Sequence, residues 1–479
     1  MTRSGKKYDS ASIDESSREA PIEEIETVTL DLDSEPYFER ALLADCYRGA
    51  TDSDDCEGHT LTDDRSPPSH QDVVVKEVPR PAASFTKKNG RAKDQVHSKA
   101  RRRAQERRKA REFPKLPPKY RPHLAILRLC SAINHTFSDL CSEDLPAAAG
   151  GWVGKRPVVS QDSTVVIEEL KSRGFSSLRW NGIKPHMISD RKRRIMVALA
   201  GKPTDADWDD LIDEASNLLT TARELALATR VFKASEMSHR RGRFFQLPTG
   251  VSFGGGSTRP GNLAHTVGEQ NVLKKLLAHR SIKRIVGFQH ASFALYAPKL
   301  YEHYRKTLAR LYEHEPHLQP NFPSISPFPA MTFNLGPSTA TVEHADFGNV
   351  AHGWCAITAL GNYDPDKEGH LILYDLKLII TFPPGSTVLI PSAVFRHGNT
   401  QLVAPNSYRQ SITQYCAGGL FRWVRYGFRT GKDLAALDPS GKMKKDADGD
   451  LQTKTQEALS LFSTLDSLAD DRAKILRSS

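Results

Sequence analysis

Two periods of hydrophobic residues divide the chain. Between residues 330 and 430, short runs rich in Ile, Val, Thr and aromatic residues are separated by Gly, Pro and Asp, the pattern of strands and tight turns. It predicts strands at 331–335, 341–344, 354–360, 370–374, 376–382, 387–390, 409–415 and 421–426. The fifth and sixth read as a tight hairpin closed by Pro383, Pro384, Gly385 and Ser386. Upstream the spacing is helical. Trp208, Leu211, Ile212, Ala215, Leu218, Leu219, Ala222 and Leu225 repeat along one face, with Thr204 as N-cap and Asp207 three residues on. Helices are also predicted at 123–141, 267–278, 298–313 (with Pro298 in the first turn) and 455–476, while 164–170 fits a strand or a helix. Helices leading into a strand-rich block give an α+β class, a helical layer backing a compact sandwich or barrel.

Composition changes the picture at the N-terminal end. Residues 1–85 are acidic and rich in Ser, Asp, Glu and Pro, which predicts a disordered tail. Within it, 37–48 fits a brief amphipathic helix for a partner, against the plainer reading of a solvated tail. A mean hydropathy of -0.49 over 479 residues agrees with a chain that is only partly globular. From 86 to 122 the sign reverses. Arg101, Arg102, Arg103, Arg107, Arg108, Lys109 and Arg111 would ring a helix on every side, which excludes packing on a core and favours solvent or a polyanion. Three readings stay open: a nuclear import signal, a nucleic-acid contact arm, and a solvating linker that offsets the acidic tail. The first makes the nucleus the expected location, with the cytoplasm as the alternative.

The domain order that follows is an acidic tail (1–85), a basic arm (86–122), a mainly helical region (123–234), a β-rich domain (235–430), and a polar linker with a C-terminal helix (431–479). No run of about eighteen apolar residues exists, so no membrane span is expected, and the first residues lack the apolar core of a signal peptide. Six cysteines without C-x-x-C spacing argue against a zinc site or a disulfide framework and for reduced thiols. Asp446, Asp448 and Asp450 do not make an EF-hand, because Gly449 falls between two of them.

Residues 240–261 mix Arg240, Arg241 and Arg243 with Phe244 and Phe245 and end in Gly254, Gly255 and Gly256. Interleaved arginine and aromatic side chains can clamp a nucleic-acid strand. The glycines lack the P-loop pattern; they read as a lid over a nearby pocket or as an ordinary loop after an edge strand.

The candidate chemistry lies in the β-rich block. His344 and Asp346, one residue apart in extended chain, leave the same face, and His397 follows a long strand-like run. Two imidazoles and one carboxylate form the ligand set of non-haem Fe(II) oxygenases. His352 and His370 are the rival ligands.

The order H-x-D, about fifty residues, His, about a dozen residues and R-x-S resembles the Fe(II)- and 2-oxoglutarate-dependent dioxygenases. The phrases GHLILYDL, FPPGSTVLIPS, FRHGNT and YRQSITQY are also similar to a group of fungal, basidiomycete TET/JBP-like proteins, over roughly residues 235 to 430. The resemblance implies a double-stranded β-helix (jelly-roll, cupin-like) core, with Fe(II) on His344, Asp346 and His397. It implies 2-oxoglutarate and O₂ as co-substrates and a ferryl species that takes a hydrogen atom from the substrate. Arg409 would receive the distal carboxylate through a forked pair of hydrogen bonds, with Ser411 and Asn334 beside it. Phe244, Phe245 and Trp354 are the aromatic candidates for a flipped base. The substrate expected is a methylated base, 5-methylcytosine or thymine. A protein or small-molecule hydroxylase is the second reading, and a catalytically silent binding module derived from a mobile element is the third.

Overall fold

The computed structural model describes residues 133–159, 163–203 and 205–476. The acidic tail, the segment at 37–48, the basic arm, three of the cysteines (Cys46, Cys56 and Cys130) and the Thr204 N-cap lie outside the described residues.

The chain opens with β1 (Asn134–Phe137), α1 (Ile167–Ser172), β2 (Ser176–Leu178), β3 (His186–Ser189), β4 (Ile195–Gly201) and α2 (Trp208–Ala228). It continues through β5 (Ser238–His239), β6 (Gly242–Arg243), β7 (Phe245–Ser252), β8 (Gly261–Asn262), α3 (Val267–Ala278), α4 (Arg280–Tyr296) and α5 (Pro298–His314). The strand-rich block holds β9 (Ala330–Gly336), β10 (Cys355–Asn362), β11 (Leu371–Leu373), β12 (Leu378–Ile380), β13 (Thr387–Ile390), β14 (His397–Asn399) and β15 (Tyr408–Tyr415). Five helices close it: α6 (Gly418–Arg425), α7 (Gly431–Leu437), α8 (Lys442–Asp448), α9 (Leu451–Leu459) and α10 (Leu468–Leu476).

The class is mixed α+β. A nine-stranded sheet runs in the order β1-β3-β4-β13-β10-β15-β9-β7-β8, and a four-stranded sheet in the order β14-β11-β12-β2. The alternation along β15 shows how the layers are set. Arg409, Ser411, Thr413 and Tyr415 face a cavity shared with the small sheet. The residues between them face the helices: Gln410 donates to Thr220 of α2 at 3.0 Å, and Gln414 donates to Gln289 of α4 at 2.7 Å. Gln289 in turn donates to Thr358 of β10 at 2.9 Å and to the Ile412 carbonyl at 3.0 Å, so a buried polar ladder ties helix to sheet. The expected helical backing is therefore present.

Several elements differ from the expectation. The hairpin through Pro383 to Ser386 does not form, because β12 pairs with β11 and β2 while β13 pairs with β10 and β4. Two prolines without N–H donors end one ladder, Gly385 turns at φ +81°, and the chain crosses to the other sheet. Trp208 holds that crossing by donating its indole N–H to the Gly385 carbonyl at 3.1 Å. Residues 341–344 form no strand, only a bridge between His344 and His397. The expected strand at 421–426 lies in α6, whose Leu420, Phe421, Trp423 and Val424 are buried at helical spacing.

Residues 134–137, within the expected first helix, are strand β1, and β3 and β4 come from a region read as mainly helical. The polar linker contains α7 and α8, and the single C-terminal helix is two, α9 and α10. Among the described residues no helix is long and apolar enough to cross a membrane. Cys141, Cys355 and Cys416 are free thiols, as expected.

Candidate metal centre

His344 and His397 sit opposite one another in an antiparallel bridge. The His344 N–H donates to the His397 carbonyl at 3.0 Å and the His397 N–H donates back at 2.8 Å. Residues paired in this way project their side chains to one face, and the two imidazole centroids lie 4.3 Å apart. Asp346 reaches the same face two residues on. Its Oδ1 is 3.8 Å from His344 Nε2, and its Oδ2 is 4.0 Å from His397 Nε2. One ligand atom from each of the three lies within 4.8 Å of the others.

Both imidazoles are oriented from behind. His344 Nδ1 donates to the Val342 carbonyl at 2.8 Å, and His397 Nδ1 donates to the Phe395 carbonyl at 3.0 Å. A carbonyl only accepts, so each proton sits on Nδ1 and each Nε2 lone pair is left toward Asp346. Burial, with the neighbouring His397 behind it, pushes His344 down to about 3. Burial likewise lowers His397. Both rings are neutral near pH 7, the state a metal requires.

Burial alone would raise Asp346. The Arg241 guanidinium, followed by the two imidazoles, outweighs it and holds the carboxyl well below the usual carboxylate range. Arg241 donates to Asp346 Oδ1 at 2.5 Å. It belongs to the basic–aromatic stretch read as a strand clamp, but it turns inward and orients a ligand. Nothing in the sequence singles it out from Arg240 and Arg243.

The three side chains line a cavity of about 120 Å³ between the two sheets, and Asn334, Arg409, Ser411 and Phe244 line it with them. Arg409 is 2% exposed. One of its Nη atoms donates to the Thr339 carbonyl at 2.6 Å, and its Nε has no hydrogen-bond partner. Its guanidinium carbon lies 5.4 Å from the Phe382 ring and 5.9 Å from the Tyr363 ring, and no carboxylate pairs with it among the described residues. A cation this deep without a counter-ion is costly unless an anion joins it. Asn334 donates to Ser411 Oγ at 2.9 Å across the β9–β15 register, leaving the Ser411 hydroxyl proton free to point into the cavity.

The remaining candidates are placed elsewhere. Trp354 is fully buried against Phe293 and Phe462 on the helical side, because the strand after it turns that ring away from the cavity. Phe245 stacks on Phe232 in the core, its side chain alternating away from that of Phe244. Of the three aromatic candidates, only Phe244 reaches the cavity. Gly254, Gly255 and Gly256 all adopt positive φ in open space and do not line this cavity; the flanking Phe253 and Ser257 line a separate cavity of about 310 Å³. The rival His370 is engaged by Thr400 at 2.8 Å, and neither His370 nor His352 joins a ligand cluster among the described residues.

No family model matches the sequence, and no curated protein does. One solved structure that matches is NgTET1 in complex with 5mC DNA, at 12% identity and a TM-score of 0.37, covering 53% of this chain and 89% of that one. No function follows from a likeness of that size. The buried His344, Asp346 and His397 form a group able to hold a metal ion, and that rests on their own geometry.

Proposed function

We propose that the chain is an Fe(II)- and 2-oxoglutarate-dependent dioxygenase on a double-stranded β-helix core, acting on a methylated base of nucleic acid. One observation carries the reading: a neutral His, His and carboxylate set shares its cavity with a buried guanidinium that has no carboxylate partner among the described residues. The donor set suits Fe(II), and the orphaned Arg409 Nε suits a dicarboxylic co-substrate. Bound iron would supply a Lewis-acidic centre that takes a 2-oxo acid and O₂ together and couples decarboxylation to oxidation of the substrate.

The chain's own residues do the rest. His344 and His397 offer lone pairs whose direction the Val342 and Phe395 carbonyls set, and Arg241 keeps Asp346 ionised and aimed. Arg409 takes the distal carboxylate as a fork, and Ser411, oriented by Asn334, adds a hydroxyl donor. Phe244, Ile357, Leu371 and Phe382 line the same space and limit water. Charge supports the choice of substrate: the net +10 is concentrated in the basic arm at 86–122.

The test is succinate release from 2-oxoglutarate by the Fe(II)-loaded full chain, alone, with 5-methylcytosine-containing DNA, and with peptides. Stimulation by methylated DNA is expected. Stimulation by peptides alone assigns the site to protein hydroxylation, and no turnover from an iron-loaded sample assigns the fold to a silent binding module.

A further inference from the structure

Beside the metal site, three arginines gather around Asp346 and the residue after it. Arg241 takes the acid itself. Phe347, the next residue, is half-buried, and its ring carries two more guanidiniums: the Arg240 carbon is 5.5 Å from the centroid and the Arg156 carbon 5.9 Å. Both arginines are exposed, and neither has a carboxylate partner among the described residues. A guanidinium on a phenyl face is attracted by the ring's quadrupole, which holds the group in place without neutralising it. Partial desolvation first, then the charge of Arg241, makes Arg240 less basic than usual, against the opposite pull of Asp346 and with a smaller push from Arg156. Like charges held this close call for an anion from outside.

We propose that Arg156 and Arg240, positioned by Phe347, form a phosphodiester clamp that grips the nucleic-acid strand next to the metal site. The clamp rests on the dioxygenase reading for its purpose and names the part of the substrate the site would hold outside its cavity. Two forked, always-charged donors on a shared ring suit successive phosphates of one strand. An acidic peptide carries the same sign of charge. The strand is favoured because the chain as a whole is basic, at net +10, and phosphodiesters repeat along a strand at regular intervals that two neighbouring guanidiniums can take together. Arg156 lies about eighty residues before Arg240 in the chain, so the juxtaposition is a product of the fold.

The experiment is a titration of a fluorescent single-stranded oligonucleotide into the full-length chain at several salt concentrations, with Arg156→Gln, Arg240→Gln and Phe347→Leu beside the wild type. Each arginine variant is expected to weaken binding about threefold to tenfold and to reduce the slope of log affinity against log salt by roughly one. Phe347→Leu keeps every charge and is expected to weaken binding about threefold. A polyglutamate peptide is expected to compete at least tenfold less well than an unlabelled oligonucleotide. An unchanged salt slope in both arginine variants, or polyglutamate competing equally, would overturn the clamp. Co(II) titration of the same samples separates the two readings. Co(II) binding with an unchanged slope sinks the clamp alone, and a reduced slope in a chain that binds no Co(II) upholds the clamp and sinks the metal site.

Discussion

Among the described residues, buried histidines line a cavity between the sheets and another on the helical side, and the first of these gathers a group able to hold a metal ion. Between the sheets, His344 and His397 each tie Nδ1 to a carbonyl and aim Nε2 at Asp346. On the helical side, His352 lines a cavity of about 310 Å³ with Leu300, Phe421 and Lys454, and neither of its ring nitrogens has a hydrogen-bond partner. Burial lowers His352 to about 4, as it lowers His344 to about 3. Burial is common to both. What differs is a carbonyl behind the ring and an ionised acid in front of it, and those two features make a neutral imidazole able to hold a metal.

The largest effect that can break this contrast is on metal affinity. Asp346→Ala is expected to weaken Co(II) binding by more than about 100-fold and to end succinate formation, since it removes a ligand and leaves Arg241 unpaired. His352→Leu is expected to leave Co(II) titration at the wild-type value. A lost metal site in His352→Leu would show that the helical cavity is part of the centre.

The next effect concerns the proposed co-substrate. Arg409→Lys keeps the charge but loses the fork, so 2-oxoglutarate affinity measured by calorimetry on the Co(II)-loaded chain should fall about 10- to 100-fold. Co(II) affinity should not change. If 2-oxoglutarate binds Arg409→Lys as well as the wild type, the guanidinium is a structural cation held by Phe382 and Tyr363.

The grouping of His344, Asp346 and His397 was legible in the sequence because an H-x-D and a later His after a strand-rich run are local signals, and because β9, β13 and β15 alternate or carry β-branched residues. The rest was hidden for physical reasons. All seven residues of β4 are buried, so no alternation marks it as a strand. In α4 nearly every residue from Ile285 to Tyr296 is buried, so no polar face marks a helix. The 421–426 segment alternates well enough to pass for a strand until Leu420 and Val424 are seen packed on one side. Arg241 and Asp346 are 105 residues apart, and no spacing rule links them. Strand periodicity also cannot say which strand is the partner, which is why the turn at Pro383 looked like a hairpin and is a crossing between sheets.

A third comparison uses acid. In the metal-free chain His344 and His352 both have folded-state values lowered below the unfolded value of about 6.5. Below pH 6.5 the unfolded chain takes up protons that these rings refuse, so stability is complete above that pH and drains away as pH falls toward 4. His352→Leu removes one such ring together with its two unpartnered nitrogens. Thermal or urea unfolding is expected to show the variant gaining about 2 kcal/mol over wild type at pH 5 relative to pH 7. His397→Leu orphans the Phe395 carbonyl, a cost that does not vary with pH, so at pH 7 it is expected to be less stable than His352→Leu by about 1–3 kcal/mol. Equal stability of the two variants at pH 7 would mean that the carbonyl anchor contributes nothing.

The smallest effect tests how finely the sheet side of the metal cavity is set. Ser411 accepts from Asn334 and has its own hydroxyl proton to give, so Ser411→Ala removes one neutral hydrogen bond to a bound carboxylate and strands the Asn334 amide. A loss of about 0.5–1.5 kcal/mol, roughly twofold to tenfold in 2-oxoglutarate affinity, follows. Asn334→Ala leaves the hydroxyl in place but loosens it, so its loss should be the smaller. The double variant should cost less than the two single losses combined, because they share one contact. Additive losses would mean that Asn334 reaches the co-substrate itself, and a Ser411→Ala loss as large as that of Arg409→Lys would move the carboxylate's main anchor from the guanidinium to the strand beside it.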